Sequence, residues 1–464
     1  MTDDRDRAAD TPQVPPTLWD PLAAWPAGRW WLWAGLAVLT ICLQGPEFLQ
    51  SLRPAPREGV DFFQEWSAAR SFFQGGPLYG NLPDLAEQYL GVQVDRTRSH
   101  LQVNAHPPAA ILLLMPLALL DYPDACLVWN LLSLAAFGAS LWLVMRGLRI
   151  PYTSGAWFPL VTLLLLCNPL RQQTNQGQLS GLLSLLVTGI WISARTGRPV
   201  WSGVWLGTAT ALKLFPGFLF IYFALRRQWW TVAAGLISFA ALNGVTATIL
   251  GAGAYATYVE DVLPSVAAYR ATWPNASLAG FVCKLFDDPA PDLFCWHWRV
   301  VPLWSSPTVA RIGCLLSAVV VTLITARAVL SARTRGESDR AFGVAVTAML
   351  LVSPVAWDHY FLMLVLPLAL VWLWLPPQNS RRSLFLFTVA GLWLNALTVG
   401  QAFVPDGDPP REVFPIHVAT VLSFQFYALV SLFALGLAAT KASHLSGQAE
   451  PRAEPVCEQT PRPE

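Results

Sequence analysis

The chain has 464 residues, of which 54% are hydrophobic and only 13% charged, with a net charge of +1. A soluble domain carries about a quarter charged residues, so roughly half the usual charge is absent. With 22 Trp, 37 Pro and recurring apolar runs, this composition excludes a disordered chain, a disulfide-built secreted module, an ordinary soluble enzyme and a nucleic-acid binder, and it describes an all-α polytopic membrane protein.

Residues 1–28 are polar, with neither a basic start nor a small-residue cleavage site, and read as a disordered cytoplasmic tail. Trp30 to about Phe48 is the first span, with Trp30, Trp31 and Trp33 where an interfacial belt sits. Residues 51–106 form a first polar loop. Within it Phe62, Phe63, Trp66, Ala69, Phe72 and Phe73 recur at helical spacing beside charges, the pattern of an amphipathic helix lying along the bilayer surface. After Pro107-Pro108, apolar runs cover roughly 108–120, 125–145, 156–170, 179–193, 201–225, 229–251, 308–330, 341–353, 359–376, 384–403 and 416–440. A full span needs about 20 residues, so the shorter runs are broken, partial or re-entrant, and ten to thirteen membrane segments are expected. A second polar loop, 252–306, separates the halves; the folded unit covers 29–441, and 442–464 is a second disordered tail.

Arg-bearing short connections set the orientation. Arg226-Arg227, the Arg327–Arg340 stretch and Arg381-Arg382 belong inside, which puts 252–306, Ser353–His359 and 404–415 outside. With 51–106 also outside, Arg146/Arg149 and Arg195/Arg198 can both be inside only if one short run fails to cross. The seven Cys show no metal spacing. Cys283 and Cys295 share the second loop and can pair if it faces an oxidising compartment.

Few ionisable residues interrupt the apolar runs. Asp61 opens the surface segment, either as a helix cap or as a general base at the membrane boundary, with Glu65 one turn on as a second acid or a solvated charge. Lys213 is the only charge between Trp201 and Leu225, and a charge there is expensive on insertion. Pro216 breaks the helix beside it, so Lys213 belongs at the aqueous apex of a re-entrant pair, offered to an anion. Asp358 and His359 follow Ser353-Pro354, where an apolar stretch too long for one span must turn. The Asn168–Arg171 and Asn175–Gln178 interruption suits a hydroxyl-rich or phosphorylated ligand, or a turn satisfied by its own side chains. His106, before Pro107-Pro108, reads as interfacial. Asn275 and Ser277 complete a glycosylation pattern short enough to be chance.

Taken in order, Asp61-Phe62-Phe63 through Gly75-Gly76-Pro77-Leu78-Tyr79, His106-Pro107-Pro108, Gly177-Gln178, Lys213-Leu214-Phe215-Pro216 and Ser353-Pro354-Val355-Ala356-Trp357-Asp358-His359-Tyr360 resemble glycosyltransferase family 87, the polyprenyl-phosphate-mannose-dependent mannosyltransferases. The likeness runs from about residue 30 to 440. His106 and Trp66 depart from it, each standing where the family commonly has Tyr.

The resemblance implies a GT-C type helical bundle in the plasma membrane, with its active site on the extracytoplasmic side. It implies a polyprenyl-phosphate sugar donor, a glycan or glycolipid acceptor and an inverting transfer with Asp61 as general base. Lys213 is then the first candidate for the donor phosphate and Arg171 the second. His359 orients phosphate or acceptor, with Asp358 setting its tautomer or capping its helix. Glu65, His106, Asn175, Gln176 and Gln178 are candidates for acceptor or sugar. The broken helices would form a lateral groove for the polyprenyl chain. No cofactor is expected, and no compact carboxylate cluster indicates a metal. Two rivals stand beside this reading. One is a lipid-linked glycan transporter or flippase; the other is a protein O-mannosyltransferase, whose paired acids in the first loop this chain lacks.

Overall fold

The computed structural model describes residues 27–93, 103–150, 157–289, 297–375, 380–407 and 410–446. Most of both expected tails, and Cys295, lie outside the described residues. The described chain is all-α but for one short strand pair. In chain order the main helices are α1 (Ala27–Leu52), α2 (Phe62–Phe73), α3 (Leu82–Leu90), α4 (Pro108–Leu114), α5 (Tyr122–Gly147), α6 (Trp157–Leu165), α7 (Asn168–Gln176), α8 (Ser180–Arg195) and α9 (Pro199–Leu212). They continue as α10 (Leu219–Leu225), α11 (Trp229–Leu250), α12 (Leu278–Phe286), α13 (Pro307–Ser331), α14 (Arg335–Val352), α15 (Val365–Trp374), α16 (Ser380–Trp393), α17 (Ala396–Phe403) and α18 (Phe424–Ser446).

Among the described residues, α1, α5, α11, α13 and Val421–Thr440 are long and apolar enough to cross a membrane. Two sharply bent pairs, α7/α8 at 120° and α16/α17 at 92°, raise the number to seven. Three shorter apolar helices, Pro108–Leu119, Phe215–Leu225 and Asp358–Trp374, stand beside them. The ten to thirteen segments expected from the apolar runs therefore divide into a few full-length helices and a set of short or broken ones. Outer helices keep Ile237, Leu315 and Leu323 exposed, as lipid-facing surfaces require. At the centre, α14 is buried from Gly336 to Leu351 except at half-buried Ser338, and a capping box between Thr334 and Glu337 closes its first turn. Helix α9 sits so close to α11 that a Cβ on Gly207 would lie 2.7 Å from Phe239 N, the small-residue contact typical of membrane helices.

Of the short runs, 108–120 holds a helix too short to span a membrane. At its start Ala105 N donates to Gln64 Oε1 at 3.1 Å, and at its end Leu120 O accepts from Trp66 Nε1 at 3.2 Å. Both ends are thus tied to neighbouring residues of α2. The Arg-bearing connections share one end. Gly147 abuts the Trp191 ring, Arg195 pairs with Asp339, and Arg335 Nη2 donates to Arg195 O at 2.9 Å.

At the other end, the polar loops converge. Helix α2 does not rest on an open surface: Phe62 through Ala69 are all buried. In the second loop, β1 (Trp298–Val300) pairs in parallel with β2 (Arg411–Val413), placing Arg299 opposite Glu412. Asn275 is wholly buried, its amide donating to Pro354 O at 3.0 Å and its Oδ1 accepting from Ala356 N at 3.0 Å. It stitches the second loop to Ser353–Trp357 and is closed to glycosylation. Cys283 carries a free thiol whose Sγ lies 3.7 Å from Cys314 Sγ, and the possible pairing with Cys295 lies outside the described residues.

Candidate active site

Where the loops converge they enclose a cavity of about 1550 Å³. Asp61 lines it from the start of α2. Its backbone is already helical (φ −56°, ψ −33°), and its carboxylate makes no first-turn bond, so the capping role does not apply. Asp61 Oδ2 instead accepts a hydrogen bond from Gln178 Nε2 at 2.6 Å.

Gln178 is delivered by the α7/α8 elbow. Helix α7 ends at Gly177 in the left-handed region (φ +62°), where a Cβ would come within 2.6 Å of Phe62 Cβ. Only glycine fits both the dihedral and the contact, so the elbow seats directly on the first turn of α2. Trp129 Nε1 holds the same point by donating to Gly177 O at 2.8 Å.

Lys213 completes the line. Helix α9 stops at Leu212, and Lys213 is extended (φ −146°, ψ 136°) before the Pro216-containing turn, the apex expected from sequence. Its side chain is 6% exposed, which discards snorkelling to bulk water. Lys213 Nζ donates to Gln178 Oε1 at 3.2 Å and to Tyr360 Oη at 3.1 Å. One amide therefore bridges the carboxylate and the ammonium, donating to the first and accepting from the second.

Asp358 and His359 reach the cavity at the next break. Asp358 Oδ2 accepts from Asn168 Nδ2 at 2.8 Å, and Asn168 Oδ1 accepts from Asn395 Nδ2 at 3.0 Å, tying the two bent helix pairs together. Asp358 Oδ1 accepts from His359 N at 2.8 Å, but Asp358 is already the first residue of the short helix Asp358–Leu364, whose N-cap Trp357 makes no side-chain cap bond. Asp358 Oδ1 stands 3.7 Å from His359 Nδ1, too far for a hydrogen bond that would set the tautomer. The His359 ring is buried, and among the described residues its Nε2 has no partner.

Other expectations are corrected. Glu65 does not line the cavity; it is buried and pairs with His106 Nδ1, and His106 carries that pair to the wall. Arg171 points away, donating to Gln44 Oε1 at 2.6 Å and pairing with Glu47 at 3.5 Å on α1, so it is no part of an anion site here. Asn175 is absent from the lining, while Gln176 and Gln178 are in it. Sequence reasoning missed Tyr269, Trp273, His297, Arg299 and Asn395, which complete the wall. Burial, and then the nearby Asp61 carboxylate, push the Tyr269 hydroxyl up, which keeps it a neutral donor. Loop residues such as these carry no periodic signal; only the excess of aromatics in 252–306 hinted at them.

A carboxylate joined through one neutral amide to a buried ammonium suits transfer of a group whose leaving part is an anion. The model of glycosyltransferase family 87 matches residues 104–354, more than half of the chain, a stretch that includes Gln178 and Lys213.

The chain belongs to glycosyltransferase family 87.

It is therefore a glycosyltransferase, and the transporter reading is set aside. A Mycobacterium tuberculosis relative named polyprenol-phosphate-mannose-dependent alpha-(1-2)-phosphatidylinositol mannoside mannosyltransferase is 27% identical to this family 87 enzyme over 83% of its chain and 85% of the relative. A second relative from that organism, named as the corresponding pentamannoside mannosyltransferase, is 26% identical over 71% of this chain and 69% of its own. The crystal structure of ArnT from Cupriavidus metallidurans, bound to undecaprenyl phosphate, aligns at 14% identity with 89% of this chain and 79% of that one, with a TM-score of 0.33.

Proposed function

We propose that the enzyme transfers mannose from a polyprenyl-phosphate donor to a hydroxyl of a lipid-linked or envelope glycan, on the extracytoplasmic face of the plasma membrane and with inversion. The Asp61–Gln178–Lys213 line within one cavity carries this reading, and the activities for which the relatives are named support the donor and the acceptor class. Asp61 takes the acceptor hydroxyl proton as the oxygen bonds to the sugar's anomeric carbon. The bond from that carbon to the phosphate oxygen breaks with its electron pair leaving on phosphate. A phosphate is already a good leaving group, so one base suffices and no general acid is required. Lys213 meets the charge that grows on the departing phosphate, where a fixed cation in a water-poor site acts most strongly. His359 Nε2, buried without a partner among the described residues, supplies a further contact for phosphate or acceptor.

The test is a transfer assay on purified protein with radiolabelled polyprenyl-phosphate mannose, reading the product's anomeric configuration by NMR. Label should move to a glycan acceptor, with configuration opposite to the donor's. Retention of configuration, or no transfer from this donor, would overturn the proposal.

A further inference from the structure

The cavity has a second wall, built by residues of the second loop with Asp406, Gly407, Pro410 and Glu412, and its chemistry differs from that of the Lys213 end. Trp273 is its centre. Its carbonyl accepts from Lys284 Nζ at 3.0 Å, and its ring stands edge-on to Trp298 at 4.7 Å. Trp298 is itself pinned, donating from Nε1 to Val404 O at 3.1 Å. The β1–β2 pairing then fixes Trp298 relative to Glu412. Trp273 is thus held from both its backbone and its ring. Its side chain is about nineteen-twentieths buried at 5% exposure and lines the cavity, yet among the described residues Nε1 has no acceptor. An indole nitrogen is a donor only, and buried donors in folded proteins are paired as a rule.

Around it stand polar groups whose charges offset one another. Asp406 Oδ2 lies 3.2 Å from His297 Nδ1 and accepts from Gln401 Nε2 at 2.6 Å, while Arg299 faces Glu412 across the strand pair. Two carboxylates beside one guanidinium do not suit a phosphate. Planar acceptors and donors next to aromatic rings suit a neutral, hydroxyl-rich molecule.

We propose that this wall is the subsite for the acceptor glycan, with Trp273 Nε1 donating to one sugar hydroxyl and the Asp406 carboxylate accepting from another. It rests on the transferase reading for the acceptor being a glycan; the relatives' names make mannobiose the probe to use. The donor phosphate and the acceptor sugar then approach Asp61 from different walls of one cavity.

The experiment measures binding of mannobiose and, separately, of polyprenyl phosphate to the full-length protein in lipid nanodiscs, for wild type, Trp273→Phe and Asp406→Ala. Phe keeps an aromatic ring in the smaller space it fills and removes the N–H, and Asp406 lies at the exposed rim; a Tm near that of the wild type in each variant checks that the fold is kept. Loss of one hydrogen bond should weaken mannobiose about five-fold in each variant, with polyprenyl phosphate affinity unchanged. Wild-type affinity for mannobiose in both variants, no mannobiose binding by the wild type, or a parallel loss of polyprenyl phosphate would overturn the assignment. Trp273-dependent mannobiose binding without any transfer from polyprenyl-phosphate mannose would defeat the donor reading alone and leave this subsite standing.

Discussion

An ammonium inside an apolar bundle is tolerated only where polar partners meet it, and Lys213 has two, Gln178 and Tyr360. Replacing it with Met fills the space and removes the charge. The donor KM should rise roughly 10- to 100-fold, the worth of a charge-assisted contact to phosphate, in a steady-state transfer assay. An unchanged donor KM would leave Lys213 a purely structural residue. Lys213, Asp61 and His359 were legible in the sequence because a lone ionisable group at a break in an apolar run has few explanations. Arg171 was not. It shares a polar interruption with Gln178, and spacing alone cannot show that the 120° bend sends Gln178 to Asp61 while Arg171 turns to α1. Glu65 was misjudged for a related reason: it lies one turn from Asp61, but its partner His106 comes from a loop more than thirty residues on.

At the scale of elements, the α7/α8 elbow decides whether the carboxylate and the amide meet. Gly177→Ala forces a side chain into the left-handed region and against Phe62. We expect a loss of about 1–3 kcal/mol, seen as a lower Tm in detergent, together with reduced turnover because Gln178 is displaced. An unchanged Tm would show that the elbow is not seated this tightly. The second loop offers a pH test. Burial pushes the Lys284 amine down to about 7, whereas an unfolded lysine titrates near 10.4. Between those values the unfolded chain binds the extra proton, so this group makes stability rise with pH from about 7 to about 10. Below about 7 the folded state also binds the proton and that gain is lost. Subtracting the Tm-versus-pH curve of Lys284→Met from that of wild type should therefore leave a difference that grows with pH. A flat difference would contradict it. Nothing in the sequence singled out Lys284, because its role depends on carbonyls at Trp273 and Asn275 that only the loop's fold turns inward.

Across the whole molecule, the charge scarcity that marks a membrane protein also sorts its two ends. Arg195, Arg226 and Arg335 gather at one, bonded to Asp339, Ser338 and one another's backbone, and the cavity opens at the other. The apolar runs made the all-α bundle legible; that the run 108–120 is held at both ends by α2 was not, because that depends on the Gln64 and Trp66 side chains reaching residues 105 and 120. If the cavity faces outside, Ser305→Cys in a background without other reactive cysteines is labelled by an impermeant maleimide on intact cells. Thr196→Cys is then labelled only after permeabilisation. The reverse pattern would invert the orientation.

The central claim is that Asp61 is the base of a sugar transfer whose donor is held elsewhere in the same cavity. Asp61→Asn preserves size and an acceptor for Gln178 but cannot take a proton at neutral pH. Its turnover with radiolabelled polyprenyl-phosphate mannose should fall about 10²- to 10⁴-fold, with donor affinity nearly unchanged. Turnover near that of the wild type would contradict the account.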